Sequence, residues 1–235
     1  MCEAKVAQIV KECRQNNEKY SDPYFNLDYR SQCIDPLSVI KGETANRTDP
    51  PLPPPPSMPV LPSPPSTPVL SPPSVKRVGD IFDNPQFYVE GVSAKDIRQG
   101  SDGDCWFLSA LATLCGMEPA QDLIERVCVA RDEEVGVYGF VLYRDGEWIS
   151  VIVDDKLYLR KADYEDSDAT VRAIWEDNRI RINSAAEYRK EFQSNSRALY
   201  YAQSTHPDET WVPLLEKAFA KAHGDYSAIE YGSVG

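Results

Sequence analysis

The stretch that decides the fold is Gln99-Gly100-Ser101-Asp102-Gly103-Asp104-Cys105-Trp106-Phe107-Leu108, in which a glycine-rich loop leads into an apolar run. The run continues to Leu114 and predicts a buried helix over residues 105–114. Cys105 comes first in it, and the unpaired N–H groups of a helix N-terminus favour the thiolate, the reactive form of cysteine. The side-chain amide of Gln99 can donate to the oxyanion of an acyl-transfer intermediate. The stretch therefore predicts the nucleophile half of a cysteine-protease site.

Cysteine also has a purely structural interpretation, because a free cysteine usually behaves as a small buried hydrophobe. Cys115 and Cys128 each lie within an apolar pattern that predicts a helix, and we expect both to be buried. Cys105 differs because glycines and aspartates precede it. From these residues alone, catalysis and simple packing both stay open for Cys105.

Five separated blocks of the sequence resemble the start of a calpain protease core. They are Asn84-Pro85-Gln86-Phe87-Tyr88-Val89-Glu90-Gly91, Asp96-Ile97-Arg98-Gln99-Gly100, Gly103-Asp104-Cys105-Trp106, Gly146-Glu147-Trp148 with Val153-Asp154-Asp155-Lys156-Leu157, and Trp211-Val212-Pro213-Leu214-Leu215-Glu216-Lys217-Ala218-Phe219-Ala220-Lys221. The resemblance runs from about residue 80 to the last residue. It implies an α+β, papain-like fold, of which this chain carries mainly the first, cysteine-bearing subdomain. It also implies that Cys105 is the nucleophile and Gln99 the oxyanion donor.

The same resemblance implies a general-base histidine and an orienting asparagine in a second subdomain. The two histidines of the chain are His206 and His223, and no asparagine follows Asn195. Neither histidine lies in the Gly-His-Ala/Ser segment of the family. His223 ends a predicted helix just before Gly224, where a cation and a glycine cap are both typical. We therefore expect that the catalytic histidine and asparagine are absent and that the chain is inactive alone.

Calcium is a second implication of the resemblance. Matching residue by residue gives the carbonyl oxygens of Val89 and Gly91 and the carboxylate of Asp96 as ligands, with a further acidic ligand expected beyond Gly235. Calcium takes six to eight oxygens, so three candidates are too few for a tight site. An aspartate in a loop is otherwise a turn or cap residue.

Composition narrows the class of protein. The net charge is −12 and no cluster of five or more Lys and Arg occurs, which argues against nucleic acid or an anionic membrane as partner. No run of 18 apolar residues predicts a membrane span. The start, Met1-Cys2-Glu3-Ala4-Lys5, does not have the pattern of a signal peptide. The six cysteines show no Cys-x-x-Cys spacing. We expect a cytoplasmic protein with reduced thiols. Protein substrates are what the calpain resemblance implies.

Three regions follow from the sequence pattern. Residues 1–48 form an N-terminal extension with an amphipathic helix over residues 2–19, whose apolar positions are Val6, Ile9, Val10 and Cys13. A stripe of that length must dock on another surface to be stable. Residues 49–74 hold thirteen of the nineteen prolines and predict a disordered, extended linker. Its P-x-x-P matches also fit ligands of SH3 or WW grooves, although composition alone explains them.

The resemblance implies that residues 75–235 form the first part of a calpain-type catalytic domain. A helix is predicted over residues 119–128, and strands over 137–143 and 148–153, joined by a hairpin at Asp145-Gly146. Asn183-Ser184 predicts the cap of a helix over residues 185–193. The resemblance is thinnest across residues 160–205. This segment is longer than the corresponding link in animal calpains, and its extra length resembles that of fungal calpain-like proteins.

Two functions from different classes therefore stay open. The first is a calcium-dependent cysteine-type endopeptidase, a hydrolase of intracellular limited proteolysis, represented by part of its chain. The second is a non-catalytic binding module that uses the proline-rich arm and an acidic surface.

Overall fold

The computed structural model describes residues 1–28, 72–101, 103–166, 182 and 184–230. The helices described are α1 (Cys2–Asn16), α2 (Val78–Ile81), α3 (Cys105–Cys115), α4 (Glu118–Glu125), α5 (Ala185–Phe192) and α6 (Trp211–His223). The strands described are β1 (Ser74–Arg77), β2 (Ile97–Arg98), β3 (Cys128–Asp132), β4 (Val137–Arg144), β5 (Glu147–Asp154), β6 (Lys156–Leu159) and β7 (Gln203–Ser204). The predicted α+β class is confirmed.

Three small antiparallel sheets organise the described strands. The largest has the order β3-β4-β5, and the other two pair β1 with β6 and β2 with β7. The hairpin between β4 and β5 confirms the sequence prediction. Asp145 and Gly146 have φ angles of 52° and 89°, and two consecutive positive values fit the twist of a two-residue hairpin.

Helices α3 and α6 pack together with the three-stranded sheet around the main core. The rings of Phe107 and Phe219 stack between the two helices with centroids 4.3 Å apart. Nine of the thirteen residues of α6 are buried, including the charged Glu216 and Lys217. The central position of α6 explains why its first eight residues are buried on every side of the helix rather than along one stripe.

Helix α1 docks on the three-stranded sheet, as its short apolar stripe requires. Val6 and Cys13 are buried against Val135 and Val137. The helix ends at Asn16, three residues earlier than predicted, because Asn17 takes a left-handed conformation with φ 54°. After this turn, the Tyr20 N–H donates to the Val135 carbonyl at 2.9 Å.

Helix α4 is shorter than its sequence pattern predicts. It ends at Glu125, and Cys128 instead opens β3 and lies opposite Phe140 of β4. The β-branched neighbours Val127 and Val129 favour a strand, and pairing with β4 prevails over the helical period. The expected burial of Cys128 and Cys115 is nevertheless observed.

Helix α5 begins as predicted at its cap. The Ser184 hydroxyl accepts a hydrogen bond from the Glu187 N–H at 3.2 Å, whereas Asn183 lies outside the described residues. Of the segment predicted as a proline-rich linker, residues 49–71 also lie outside them. The linker and its P-x-x-P matches therefore stay predictions. Within the part of the chain that the structure describes, no helix is both long and apolar enough to cross a membrane.

Candidate active site

Cys105 is the first residue of α3 and is exposed. The carbonyl of Asp104 starts the helix by accepting the N–H groups of Phe107 and Leu108 at 2.9 and 3.2 Å. The side chains that follow on α3 turn toward the core, where Phe107 and Leu108 are buried. The predicted helix start is confirmed, and it presents the sulfur to solvent beside the first peptide N–H groups of the helix.

The other four described cysteines have different surroundings. Cys2, Cys13, Cys115 and Cys128 are each 8% exposed or less. Burial raises the pKa of Cys115 and Cys128 to about 11, so both remain protonated thiols at neutral pH. Cys105 is therefore the one exposed thiol among the described residues.

Gln99 lies in an exposed position immediately after β2, and β2 contacts α3. The next residue, Gly100, is enclosed by main chain, because a Cβ atom there would overlap the carbonyl oxygens of Tyr200 and Tyr201. The Ser101 N–H donates to the Tyr200 carbonyl at 2.7 Å. The backbone beside Gln99 is therefore fixed against the segment that precedes β7.

Asp104, the residue directly before Cys105, is fully buried. Neither of its carboxylate oxygens has a hydrogen-bond partner among the described residues. Its side chain caps nothing in α3, although aspartate is a common cap residue. Asp102, between it and Gln99, lies outside the described residues.

Both histidines have local partners. His223 is the last residue of α6, where its Nδ1 lies 2.8 Å from the Phe219 carbonyl oxygen. This is the helix-end position that the sequence predicts, and Gly224 follows it. His206 is exposed, and its Nδ1 accepts the Asp208 N–H at 3.3 Å.

The three candidate calcium ligands lie between α2 and β2, with Val89 and Gly91 in a loop and Asp96 at the end of the 3₁₀ helix Ala94–Asp96. Gly91 has a φ angle of 90°, and the Val89 N–H donates to Glu209 Oε1 at 2.9 Å. Asp96 Oδ2 accepts the Ser93 N–H at 2.7 Å within a capping box. Burial raises the pKa of Asp96, which disfavours the ionised carboxylate that a cation would need.

These residues do not complete a cation site by themselves. One oxygen of Asp96 is occupied by the cap, and the set offers three ligands in place of six to eight. Among the residues described, no group of three or more His, Cys, Asp or Glu side chains is placed to hold a metal ion. The Glu209 carboxylate is also buried, and its Oε1 accepts the hydrogen bond from the Val89 N–H.

Sequence reasoning missed a buried ion pair between Lys217 of α6 and Asp154 of β5. Lys217 and Asp154 are both fully buried, and the ammonium bonds to the carboxylate and to the Lys156 carbonyl at 2.7 Å. Burial alone would raise the pKa of Asp154, but Lys217 and the Asp22 and Lys156 N–H groups hold it below its ordinary value. The available signal was the pair of charged residues Glu216 and Lys217 within the otherwise apolar run of residues 211–220.

Comparisons with known proteins agree with the calpain resemblance of the sequence. The family model described as calpain family cysteine protease matches residues 49–176 and 189–235. Calpain-B of Drosophila melanogaster is 33% identical over 165 residues, which are 67% of this chain and 13% of that relative. Calpain-A of the same species is 34% identical over 161 residues, with 67% and 15% covered. The calpain-1 catalytic subunit of Bos taurus is 32% identical over 162 residues, with 67% and 17% covered. The chain thus spans less than a fifth of the length of these relatives.

Proposed function

The chain belongs to the calpain family of cysteine proteases, and from that premise we propose that residues 75–235 carry the nucleophile of a papain-like cysteine endopeptidase. The observation that carries the proposal is the exposure of Cys105 at the first position of α3, while the other described cysteines are buried. Protein substrates follow from the class of enzyme. The cytoplasmic location stays a prediction.

The proposed chemistry is acyl transfer. The Cys105 thiolate attacks the scissile carbonyl carbon, and the Gln99 amide donates to the oxyanion that forms. The C–N bond then breaks, the amine leaves with a proton, and water later hydrolyses the thioester. The fixed backbone around Gly100 supports this role because an oxyanion donor must be held in place before the charge develops.

A general base must take the thiol proton and return it to the leaving amine. His223 is engaged with the last turn of α6 and His206 with its own loop, so neither is a good candidate. We propose that the base and its orienting asparagine belong to the second subdomain of the protease core. This chain alone should then bind carbonyl electrophiles without turning over peptides.

The proposal predicts that a peptide aldehyde protects Cys105 from iodoacetamide. Addition of the thiol to the aldehyde forms a C–S bond and a hemithioacetal oxygen, which Gln99 would bind. Replacing Gln99 by alanine should weaken this protection by roughly 10²-fold, the usual cost of one oxyanion donor. Peptide-level mass spectrometry after alkylation measures the protection of Cys105. Both chains carry the additional substitution Cys33→Ser, because Cys33 lies outside the described residues.

Alkylation without the aldehyde is the control, because exposure alone makes Cys105 react with iodoacetamide. The Gln99→Ala variant should match the parent chain in that reaction. Equal protection in both chains would remove Gln99 from the oxyanion site. No protection in the parent chain would favour the alternative, a binding module without catalysis.

Calcium dependence is proposed only for the complete protease core, through Val89, Gly91 and Asp96 with further ligands. For this chain we expect a dissociation constant above 1 mM, because the set supplies three oxygens. Calcium at 1 mM should then stabilise the fold by less than about 0.4 kcal/mol. Urea unfolding with calcium, and with magnesium as control, tests this. A larger stabilisation that Asp96→Asn abolishes would contradict it.

A further inference from the structure

A cluster of aromatic and aliphatic side chains lies behind the candidate site. We call it the Tyr226 cluster, and its buried members are Phe25, Leu27, Ala220, Tyr226 and Ile229. The Tyr226 ring stacks on Tyr201 with centroids 3.9 Å apart. On another side, the Phe25 ring lies 6.0 Å from it. Neither Cys105 nor Gln99 belongs to the cluster. Its member Ile229 contacts the residue next to Cys105, and Tyr201, which packs against the cluster, contacts the residue next to Gln99.

The first contact is on the nucleophile side. The carbonyl oxygen of Ile229 accepts a hydrogen bond from the Trp106 indole N–H at 2.8 Å. Trp106 follows Cys105 in the first turn of α3, and its ring packs against Phe219 of α6. The position of Ile229 therefore fixes the side chain next to the sulfur.

The second contact is on the oxyanion side. Tyr201, which stacks on Tyr226, contributes one of the two carbonyl groups that enclose Gly100. Its neighbour Tyr200 contributes the other and accepts the Ser101 N–H. A shift of the Tyr226 ring would therefore move the main chain that holds the residue next to Gln99.

The N-terminal segment, residues 22–28, completes the cluster and is fixed at both ends. Asp22 is fully buried, its N–H donates to Asp154 Oδ2 at 2.8 Å, and its carboxylate accepts from Lys221 at 2.7 Å. At the other end, Asp28 pairs with Lys156. Between these two anchors, Phe25 is inserted beside Tyr226.

We infer that residues 22–28 are a positioning element of the Cys105 site, acting through Phe25 on Tyr226 and Ile229. The segment touches no reacting atom. It fills the space behind the two main-chain contacts that hold Trp106 and Gly100, so that nucleophile and oxyanion donor keep one relative geometry. The inference rests on the proposed function, in which Cys105 and Gln99 act on one carbonyl group.

The test compares Phe25→Ala with Val6→Ala. Val6 is also buried and N-terminal, but it packs in a separate cluster with Val135 and Val137. In Phe25→Ala we expect aldehyde protection of Cys105 to weaken about tenfold or more, since small misplacements of reacting groups are costly. Amide exchange of Ser101 should accelerate at least about tenfold. Val6→Ala should leave both within about twofold.

The milder Phe25→Leu serves if Phe25→Ala does not fold, and it should change both readouts in the same direction by less. Equal behaviour of the Phe25 variants and Val6→Ala in both readouts would overturn the inference. Amide exchange does not depend on the chemistry of Cys105. Absence of aldehyde protection in the parent chain would thus refute the proposed function, while faster Ser101 exchange would still support the structural connection.

Discussion

Replacing Lys217 by methionine is expected to destabilise the fold by about 3–5 kcal/mol, because it leaves the fully buried Asp154 carboxylate without its counter-ion. Methionine keeps the approximate length of the side chain and creates little empty space. The free energy of unfolding from urea titration at pH 7 measures the loss. The exposed Lys11→Met in α1 is the matched control and should change stability by less than about 0.5 kcal/mol.

The dependence on pH gives this prediction a second readout. In the parent chain the pKa of Asp154 lies below its ordinary value, so its contribution is present above about pH 4 and is lost as the pH falls further. In Lys217→Met, burial without the ammonium would raise this pKa above the unfolded value. Acidification from pH 7 toward pH 4 should therefore reduce the deficit of the variant relative to the parent chain.

Adding Asp154→Asn to Lys217→Met removes the buried charge and should recover part of the lost stability. A loss of unfolding free energy below about 1 kcal/mol in the single variant would mean that the ion pair contributes little to the stability of the fold. A double variant less stable than the single one would point to the main-chain hydrogen bonds of Asp154 instead.

Replacing Gly100 by alanine is expected to reduce aldehyde protection of Cys105 by roughly 10²-fold. The new Cβ atom would overlap the carbonyl oxygens of Tyr200 and Tyr201, which are main-chain atoms and cannot turn aside as a side chain would. The segment that carries Gln99 must then move away from its support. The accompanying loss of stability should be about 1–3 kcal/mol, the usual cost of overpacking.

Gly79→Ala is the matched control for Gly100→Ala. A Cβ atom at Gly79, in α2, would meet only the Lys19 ammonium at 3.8 Å, so both stability and protection should be nearly unchanged. If Gly100→Ala kept full protection, the backbone beside Gln99 would not need its present position.

The sequence predicted the elements whose cause is local. The Asp145-Gly146 turn, the start of α3 at Cys105 and the cap at Ser184 each depend on residues that are neighbours in the chain. The predicted end of α4 was wrong. Cys128 belongs to a strand because it pairs with Phe140, twelve residues further on. Local periodicity cannot contain that information.

The supports of the candidate site were beyond sequence reasoning for the same reason. Nothing near Gly100 in the sequence indicates Tyr200 and Tyr201, and nothing near Trp106 indicates Ile229. The roles of Cys105 and Gln99 came from adjacent residues and a family resemblance. Their placement depends on contacts across about one hundred residues or more, which only the folded chain brings together.

The bond between Lys221 and Asp22 joins residues 199 positions apart, and this separation has a consequence for folding kinetics. Closing such long loops costs entropy before the contact is gained, so the late steps of folding should be slow. During synthesis, the N-terminal segment emerges long before its partners on α6 exist. Residues 22–28 must therefore remain undocked, with Phe25 exposed to solvent or to chaperones, until translation has passed α6.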